Sequence, residues 1–477
     1  MTRHPLEGFG AQLNTNLFTT AGEPRPLTAQ QLADLQSAID NLQPGFSRIL
    51  VRRGLRADTA AGRRAPEFVA LLKTIELAQH AGAELNLTYW GQGPYADERR
   101  LRALRWPNRS FRDWPDPNRR KWPPELTDPR GITQPRVLME RFAGVLQEIR
   151  RRGFDCVTSV TIQNEVNGAG VDIAKQGDQC LSMRFYELLY RFLDAALRRL
   201  NLRDEIRFIA GDLVERGNST QDVWLRYLHR NMEVARPQFP SVLDGYSIHV
   251  YWEPSAGAQG FPAKPERRLT NLARTVRTLG LEAPIYVAEH GVREVRARIK
   301  PGRIGGVRID ESPLAAFQHG WFNAIASQRG CVGLSKWVLY RTDRAAGFGE
   351  WGTIGAPAGG FARFPVYRVT RLFTHFVPRG WLANGLSRVA TNVIASRFVA
   401  ADGPDHSVLV LNNAARGRQL KVQGLSANQD YFAVAWNRDG HGSLASLAPL
   451  RADATGAATV QLPAHGIVAL STRNPGL

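Results

Sequence analysis

The chain has 477 residues, of which 43% are hydrophobic and 22% charged. This length and composition exclude a disulfide-stapled miniprotein and a wholly disordered chain, because a chain of this size can bury a large core. Its 62 basic residues outnumber its 43 acidic residues, and the resulting net charge of +19 favours nucleic acid, an anionic membrane surface or an acidic substrate as a partner.

Eight short apolar segments bounded by turn residues predict β-strands in the first three quarters of the chain. They cover residues 8–14, 47–53, 83–91, 157–167, 205–212, 242–252, 283–291 and 332–340, and helical patterns separate them. Eight alternations of strand and helix predict an α/β fold, a (β/α)8 TIM barrel. A doubly wound sheet is disfavoured because the short Gly8-Phe9-Gly10 segment lacks the glycine-rich phosphate turn.

The pattern changes after a last helical stretch over residues 367–377. Strand-like segments then follow without helices between them, at residues 391–400, 407–412, 419–424, 431–437, 458–462 and 467–471. They predict a small all-β sandwich. We therefore expect a catalytic barrel over residues 1–380 and a C-terminal β-sandwich over residues 381–477.

Two glutamates stand near the ends of predicted barrel strands, where barrel active sites lie. Glu165 follows Asn164 at the end of the fourth strand, and Glu289 lies near the end of the seventh. Either one alone could be a rim residue in a salt bridge. Together, from opposite sides of the barrel mouth, they supply the two carboxylates that glycoside hydrolysis needs.

These residues resemble the signature of the retaining glycoside hydrolases of clan A. That clan has an acid/base Glu preceded by Asn after strand four and a nucleophilic Glu after strand seven, which match Asn164-Glu165 and Glu289. Residues 6–10 and 160–165 are most similar to glycoside hydrolase family 30, which also has an attached β-sandwich. The chain departs from that family at Val166, where members usually have Pro. Families 39 and 5, or a less familiar clan A family, are alternatives.

The resemblance implies a double displacement in which Glu289 is the nucleophile, Glu165 is the acid/base residue and Asn164 binds the sugar 2-hydroxyl. It also implies an arginine beside the nucleophile, for which Arg52 at the end of the second strand is the candidate. The remaining candidates for substrate binding are aromatic or imidazole side chains in or at the ends of strands, although each could instead be a satisfied core residue: His249, Tyr251, Trp337 and Trp90.

The implied substrate is a carbohydrate, most simply a β-linked oligosaccharide or polysaccharide. An α-L-arabinofuranoside or an anionic glycan is the alternative, since Arg293 and its neighbours in residues 292–312 either meet acidic groups or form a solvated surface. A carbohydrate-binding barrel without activity and a basic nucleic-acid-binding protein are alternatives from other classes. The basic residues are scattered along the chain and form no recognisable nucleic-acid module, so we expect no nucleic acid as a partner.

No cofactor or metal is expected, because the mechanism needs none and the three cysteines lack metal-binding spacing. No apolar stretch is long enough to predict a membrane span. Residues 1–18 lack the apolar core of a signal peptide, so we expect a secreted or periplasmic location only if a leader has been removed, and a cytoplasmic one otherwise.

Overall fold

The fold was analysed in a computed structural model of the full chain. It describes residues 4–20, 23–52, 54–90, 133–167, 183–214, 217–235, 240–253, 261, 263–292, 303–304, 307–341, 351–438 and 442–477. Residues 293–302, which include Arg293 and the neighbouring Arg296, Arg298 and Lys300, lie outside the described residues, and a short described segment begins at residue 303.

The eight predicted barrel strands are confirmed, with their ends shifted by a few residues. They are β1 (Gly8–Ala11), β2 (Phe46–Arg52), β3 (Glu84–Trp90), β4 (Val157–Ile162), β5 (Arg207–Val214), β6 (Gly245–Trp252), β7 (Ile285–Val292) and β8 (Cys331–Lys336). All neighbouring pairs are parallel, in the order β1-β8-β7-β6-β5-β4-β3-β2. A parallel bridge between Leu13 and Ile49 joins the two edges, so the sheet closes into a (β/α)8 barrel.

The main helices between and after the strands also follow the sequence pattern. They are α1 (Ala29–Leu42), α2 (Pro66–His80), α3 (Thr133–Arg151), α4 (Met183–Arg199), α5 (Gly217–Leu228), α6 (Ala263–Leu279), α7 (Pro313–Gln328) and α8 (Pro365–Phe376). Thr28 is the N-cap of α1 and forms a capping box, in which its side chain accepts from the Gln31 backbone and the Gln31 side chain accepts from the Thr28 backbone.

Eight more strands follow α8. They are β9 (Leu382–Ala390), β10 (Val393–Val399), β11 (His406–Asn412), β12 (Arg418–Val422), β13 (Asp430–Asn437), β14 (Ser443–Arg451), β15 (Ala458–Leu462) and β16 (Gly466–Ser471). Six form an antiparallel sheet in the order β9-β10-β11-β16-β13-β14, and β12 pairs with β15. Val410 and Val468 of the larger sheet share a buried cluster with Val422 and Val460 of the smaller one, so the two sheets pack as a sandwich.

The strands β9 and β14 were missed by the sequence pattern, and both are edge strands of the larger sheet. Their residues are mostly exposed or half-buried. Without a fully buried face, an edge strand lacks the strict alternation of apolar and polar residues that identifies a strand in sequence.

The helix α7 joins the barrel to the sandwich. Its residues from Leu314 to Ser327 are all buried, so the helix is apolar on every side rather than on one stripe. Gly320 faces two elements at once, since an added Cβ would lie 2.7 Å from Ile467 Cδ1 of β16 and 2.9 Å from Val369 Cγ1 of α8. The close approach of these elements therefore depends on a glycine at this position.

In the part of the chain that the structure describes, no helix combines the length and apolarity needed to cross a membrane. Cys331 is buried and Cys156 is partly buried, and burial raises the pKa of each thiol to about 12, as expected for unreactive structural cysteines.

The tight packing at Gly320 predicts that a Gly→Ala substitution at this position and the same substitution at Gly144 change the free energy of unfolding in opposite directions. Gly320→Ala should lower the free energy of unfolding by about 1–2 kcal/mol, because the extra methyl group overpacks the junction. Gly144→Ala is the matched control in α3, where an added Cβ meets no atom within 4 Å, and it should raise the free energy of unfolding by about 0.5–1 kcal/mol through helix propensity. Urea unfolding measures both; a stabilising Gly320→Ala would contradict the packing argument.

Candidate active site

The two predicted glutamates meet at the carboxyl-terminal mouth of the barrel. Glu289 belongs to β7, three residues before its end, and Glu165 lies in the turn that follows β4. A carboxylate oxygen of each lies within 4.8 Å of the other. The Glu165 side chain is 18% exposed and the Glu289 side chain 4%, so Glu165 reaches solvent while Glu289 lies inside the barrel.

The turn that presents Glu165 has an unusual backbone. Gln163 and Glu165 have φ values of +65° and +50°, in the left-handed region that residues with a Cβ seldom adopt. Asn164 lies between them and is buried. Such conformations persist where the surrounding structure enforces them, and they cluster at functional sites.

A buried arginine, Arg48 of β2, organises the centre of the mouth. Its side chain is fully buried, and it forms salt bridges with both Glu289 and Asp212. Burial alone would lower the pKa of Arg48, but the two carboxylates raise it, so the guanidinium stays charged. Each of its five N–H donors has an acceptor: Thr88 for Nε, Gln12 and Glu289 for Nη1, and Asn164 and Asp212 for Nη2.

The sequence predicts Arg52 as the arginine next to Glu289. In the structure this arginine is Arg48, so the prediction of Arg52 is wrong. Arg52 is the last residue of β2 and its side chain is exposed. Four strand residues correspond to about 13 Å, so Arg48 lies well below Arg52 in the barrel. Glu289 also lies below the end of its strand, so its arginine partner lies at a similar depth. The residues at strand ends therefore do not include Arg48. The sequence does contain one indication of Arg48. It lies within the apolar segment of residues 46–51, and a buried cation requires a counterion.

Tyr251 and His249 of β6 both point into the mouth, as their spacing predicted. The Tyr251 hydroxyl donates to Glu289 Oε2 at 2.6 Å. Burial and the Glu289 carboxylate raise the pKa of Tyr251 well above its usual value, so this hydroxyl remains a donor. His249 Nδ1 lies 3.2 Å from Glu165 Oε1 and 3.4 Å from Glu289 Oε2, and thus it lies between the two carboxylates.

A third carboxylate, Asp212 of β5, was not predicted. It is fully buried and contacts Arg48, while its second oxygen accepts from the Ser247 hydroxyl. Burial would raise the pKa of Asp212, but Arg48 and His249 lower it to about 2. The sequence does contain an indication of this carboxylate, because the predicted fifth strand ends at Asp212.

The two predicted tryptophans lie at ends of barrel strands. Trp90 is the last residue of β3, and Trp337 directly follows β8; both are half-buried. A half-exposed ring at the mouth can stack against the apolar face of a sugar. Both are therefore placed where a substrate could meet them.

The oxygens of Glu165 and Glu289 and a ring nitrogen of His249 are spaced closely enough to bind a metal ion. The positive charge at this point already comes from the protein, because Arg48 contacts Glu289 and an imidazolium of His249 would lie between the glutamates. These residues therefore suit a charge network better than a divalent cation.

Comparisons with known proteins identify the fold. No protein-family model matches the chain, and no curated protein matches its sequence. Among solved structures, a GH30 endoxylanase from Clostridium papyrosolvens has 14% sequence identity and a TM-score of 0.60, and the alignment covers 98% of this chain and 97% of that one. A GH51 α-L-arabinofuranosidase from Thermotoga petrophila has 12% identity and a TM-score of 0.58 over 98% and 96%.

A family 39 glycoside hydrolase from Bacteroides cellulosilyticus is also similar, with 13% identity, a TM-score of 0.57, and coverage of 98% of this chain and 81% of that chain. These likenesses extend over the barrel and the C-terminal sheets together. The expected resemblance is confirmed at the level of architecture: the chain has the fold of the clan A glycoside hydrolases, with glycoside hydrolase family 30 among its neighbours.

Proposed function

We propose that this protein is a retaining glycoside hydrolase in which Glu289 is the nucleophile and Glu165 the acid/base residue. The observation that carries the proposal is the approach of their carboxylate oxygens to within 4.8 Å at the barrel mouth. Retaining enzymes hold their carboxyl groups about 5–5.5 Å apart, whereas inverting enzymes leave about 6.5–9.5 Å for a water molecule. The spacing therefore favours retention.

The surroundings of the two glutamates fit different roles. Glu289 is almost completely buried and is held by Arg48 and Tyr251, which fixes the position of its oxygens for attack. The Glu165 side chain is more exposed, at 18%. It can therefore exchange its proton with a leaving group and then with water.

In the first step, a Glu289 oxygen forms a bond with the anomeric carbon while the bond to the leaving oxygen breaks and Glu165 protonates that oxygen. In the second step, Glu165 takes a proton from water as the water oxygen replaces Glu289. The side-chain oxygen of Asn164 accepts a hydrogen bond from Arg48, and its amide N–H groups would donate to the sugar 2-hydroxyl. The half-buried Trp337 and Trp90 would stack against sugar rings.

We propose a β-linked oligosaccharide or polysaccharide as the substrate. The similar structures include xylanases and an endo-β-1,6-glucanase, but also an α-L-arabinofuranosidase. An initial panel of aryl β-xylosides, β-glucosides and α-L-arabinofuranosides, with neutral and acidic polysaccharides, would select among these substrates. Binding of a polysaccharide without hydrolysis would instead favour a carbohydrate-binding barrel.

The stereochemistry of the reaction tests the mechanism. With an activated aryl glycoside that the enzyme hydrolyses, proton NMR in the first minutes should show a product with the same anomeric configuration as the substrate, because two displacements at one carbon restore it. A first-formed product of opposite configuration would refute Glu289 as a nucleophile.

Replacing each glutamate should affect different steps. Glu289→Gln should abolish turnover, because the amide cannot form the glycosyl-enzyme. Glu165→Ala should lose most activity on substrates with poor leaving groups, retain activity on dinitrophenyl glycosides, and be accelerated by azide, which replaces the water that Glu165 would activate. Steady-state assays on paired substrates measure this difference. Full activity in both variants would place the reaction elsewhere.

The two arginines of β2 provide a matched pair. Arg48→Lys should lower kcat/KM by about 100-fold or more, since one ammonium has three donors for five acceptors and cannot hold Glu289 in place. Arg52→Lys changes an exposed side chain on the same strand and should leave kcat/KM within about twofold. The reverse result would restore the assignment of Arg52 that the sequence suggested.

A further inference from the structure

Asp212 is the most completely buried carboxylate of the site, and the proposed reaction does not use it directly. It lies in β5 with a left-handed φ of +46°, directly after Gly211, whose φ is +125°. The register between β5 and β6 is irregular at this point. An added Cβ on Gly211 would lie 2.6 Å from the Ser247 backbone oxygen. The local backbone is thus shaped in a way that brings the Asp212 side chain into the barrel.

Both oxygens of Asp212 are engaged. Oδ2 accepts from Arg48 and lies 3.5 Å from the Thr88 hydroxyl. Oδ1 accepts from the Ser247 hydroxyl and lies 3.6 Å from His249 Nε2. Asp212 therefore contacts or faces both basic groups at the centre of the mouth.

His249 faces a carboxylate on each side of its ring. Its Nδ1 lies near Glu165 and Glu289, and its Nε2 lies near Asp212. A neutral imidazole carries one N–H, so one nitrogen lone pair would point at a carboxylate oxygen. An imidazolium carries an N–H on both nitrogens, so Nδ1 can donate to a glutamate while the Nε2 N–H faces Asp212 Oδ1 at 3.6 Å, as an ion pair slightly longer than a hydrogen bond.

We infer that Asp212 is a positioning residue that holds His249 as an imidazolium between the two glutamates throughout the reaction. The inference rests on the proposed roles of Glu165 and Glu289. Burial by itself would lower the pKa of His249, but Glu289, Asp212 and Glu165 raise it to about 9. The contacts and the electrostatics of the ring therefore agree.

The charges of the site balance in both halves of the reaction. Before attack, Arg48 and His249 face ionised Asp212 and Glu289 while Glu165 is protonated. In the glycosyl-enzyme, Glu289 is a neutral ester and Glu165 is ionised, because its proton has moved to the leaving oxygen. The negative charge thus moves between the two neighbours of His249 Nδ1, and Asp212 remains the fixed counterion on the other side. His249 keeps its proton in both steps.

The protonation of His249 can be measured directly without substrate. In protein labelled with ¹⁵N-histidine, the ring signals of His249, assigned with His249→Gln, should be those of an imidazolium at neutral pH and should titrate with a midpoint near pH 9. In Asp212→Asn, the midpoint should fall by at least about one pH unit, because an opposite charge near the ring has been removed. Asp194→Asn is the control. Asp194 is a buried carboxylate on α4 that pairs with Arg198 of the same helix and with Arg203, which follows the helix.

The kinetic counterpart separates positioning from a structural defect. With a dinitrophenyl glycoside, whose leaving oxygen needs no proton from Glu165, the alkaline limb of the kcat profile of Asp212→Asn should move to lower pH with the His249 midpoint, whereas Asp194→Asn should leave that limb unchanged. Ser247→Ala keeps the Asp212 charge but removes the hydroxyl that shares Oδ1 with His249, so it should shift the midpoint to higher pH by a smaller amount, because Oδ1 is then left to the imidazolium. This variant keeps the test available if Asp212→Asn does not fold.

Two results would overturn the inference: a His249 midpoint near its ordinary value of about 6.5 in the unchanged protein, or a midpoint that Asp212→Asn and Ser247→Ala both leave unchanged. The titration does not depend on glycoside hydrolysis. If it behaves as expected but Glu289→Gln retains activity, the charge arrangement holds and the proposed catalytic roles are wrong.

Discussion

The charge of Arg48, buried at the centre of the barrel, is the constraint on which the rest of the site depends. A guanidinium without solvent is costly unless opposite charges and hydrogen-bond acceptors surround it. Asp212 and Glu289 supply the charge, and Gln12, Thr88 and Asn164 supply neutral acceptors. The acceptors come from β3, β5 and β7 and from the residues after β1 and β4. The hydrogen bonds of Arg48 therefore link most of the barrel strands and fix their positions relative to one another.

This arrangement also explains why the site lies below the strand ends. Ordinary barrels fill their interior with layers of apolar side chains. Here the layer near the mouth contains charged and polar groups, among them Arg48, Asp212 and His249, all buried. Removing one of them leaves an uncompensated partner in a region of low dielectric. The apolar packing that holds the fold lies largely between the strands and the helices, and around α7 at the junction with the sandwich.

The sequence predicted the parts of the fold in which local pattern and burial agree. The barrel strands were found within a few residues because they are buried apolar runs between amphipathic helices. The edge strands β9 and β14 were missed because much of their length is exposed. In the site, Glu165, Glu289, His249 and Tyr251 were found from strand position and spacing. The sequence predicts Arg52 and does not identify Arg48, because a linear sequence does not show how deep in a barrel a partner lies.

The sequence by itself therefore determined the alternation of strands and helices, the change to antiparallel strands near residue 380, and the two glutamates at the barrel mouth. These features depend on periodicity and on the rule that parallel strands end on one face. Only the tertiary structure decided which arginine neutralises Glu289, that Asp212 completes the charge network, and that His249 lies between carboxylates. Electrostatic pairing depends on distance in space and on burial, and residues 48, 212 and 289 come together only when the sheet has closed. The net charge of +19, which first suggested an acidic partner, says little about a site that is built on the buried pairing of Arg48 with Asp212 and Glu289.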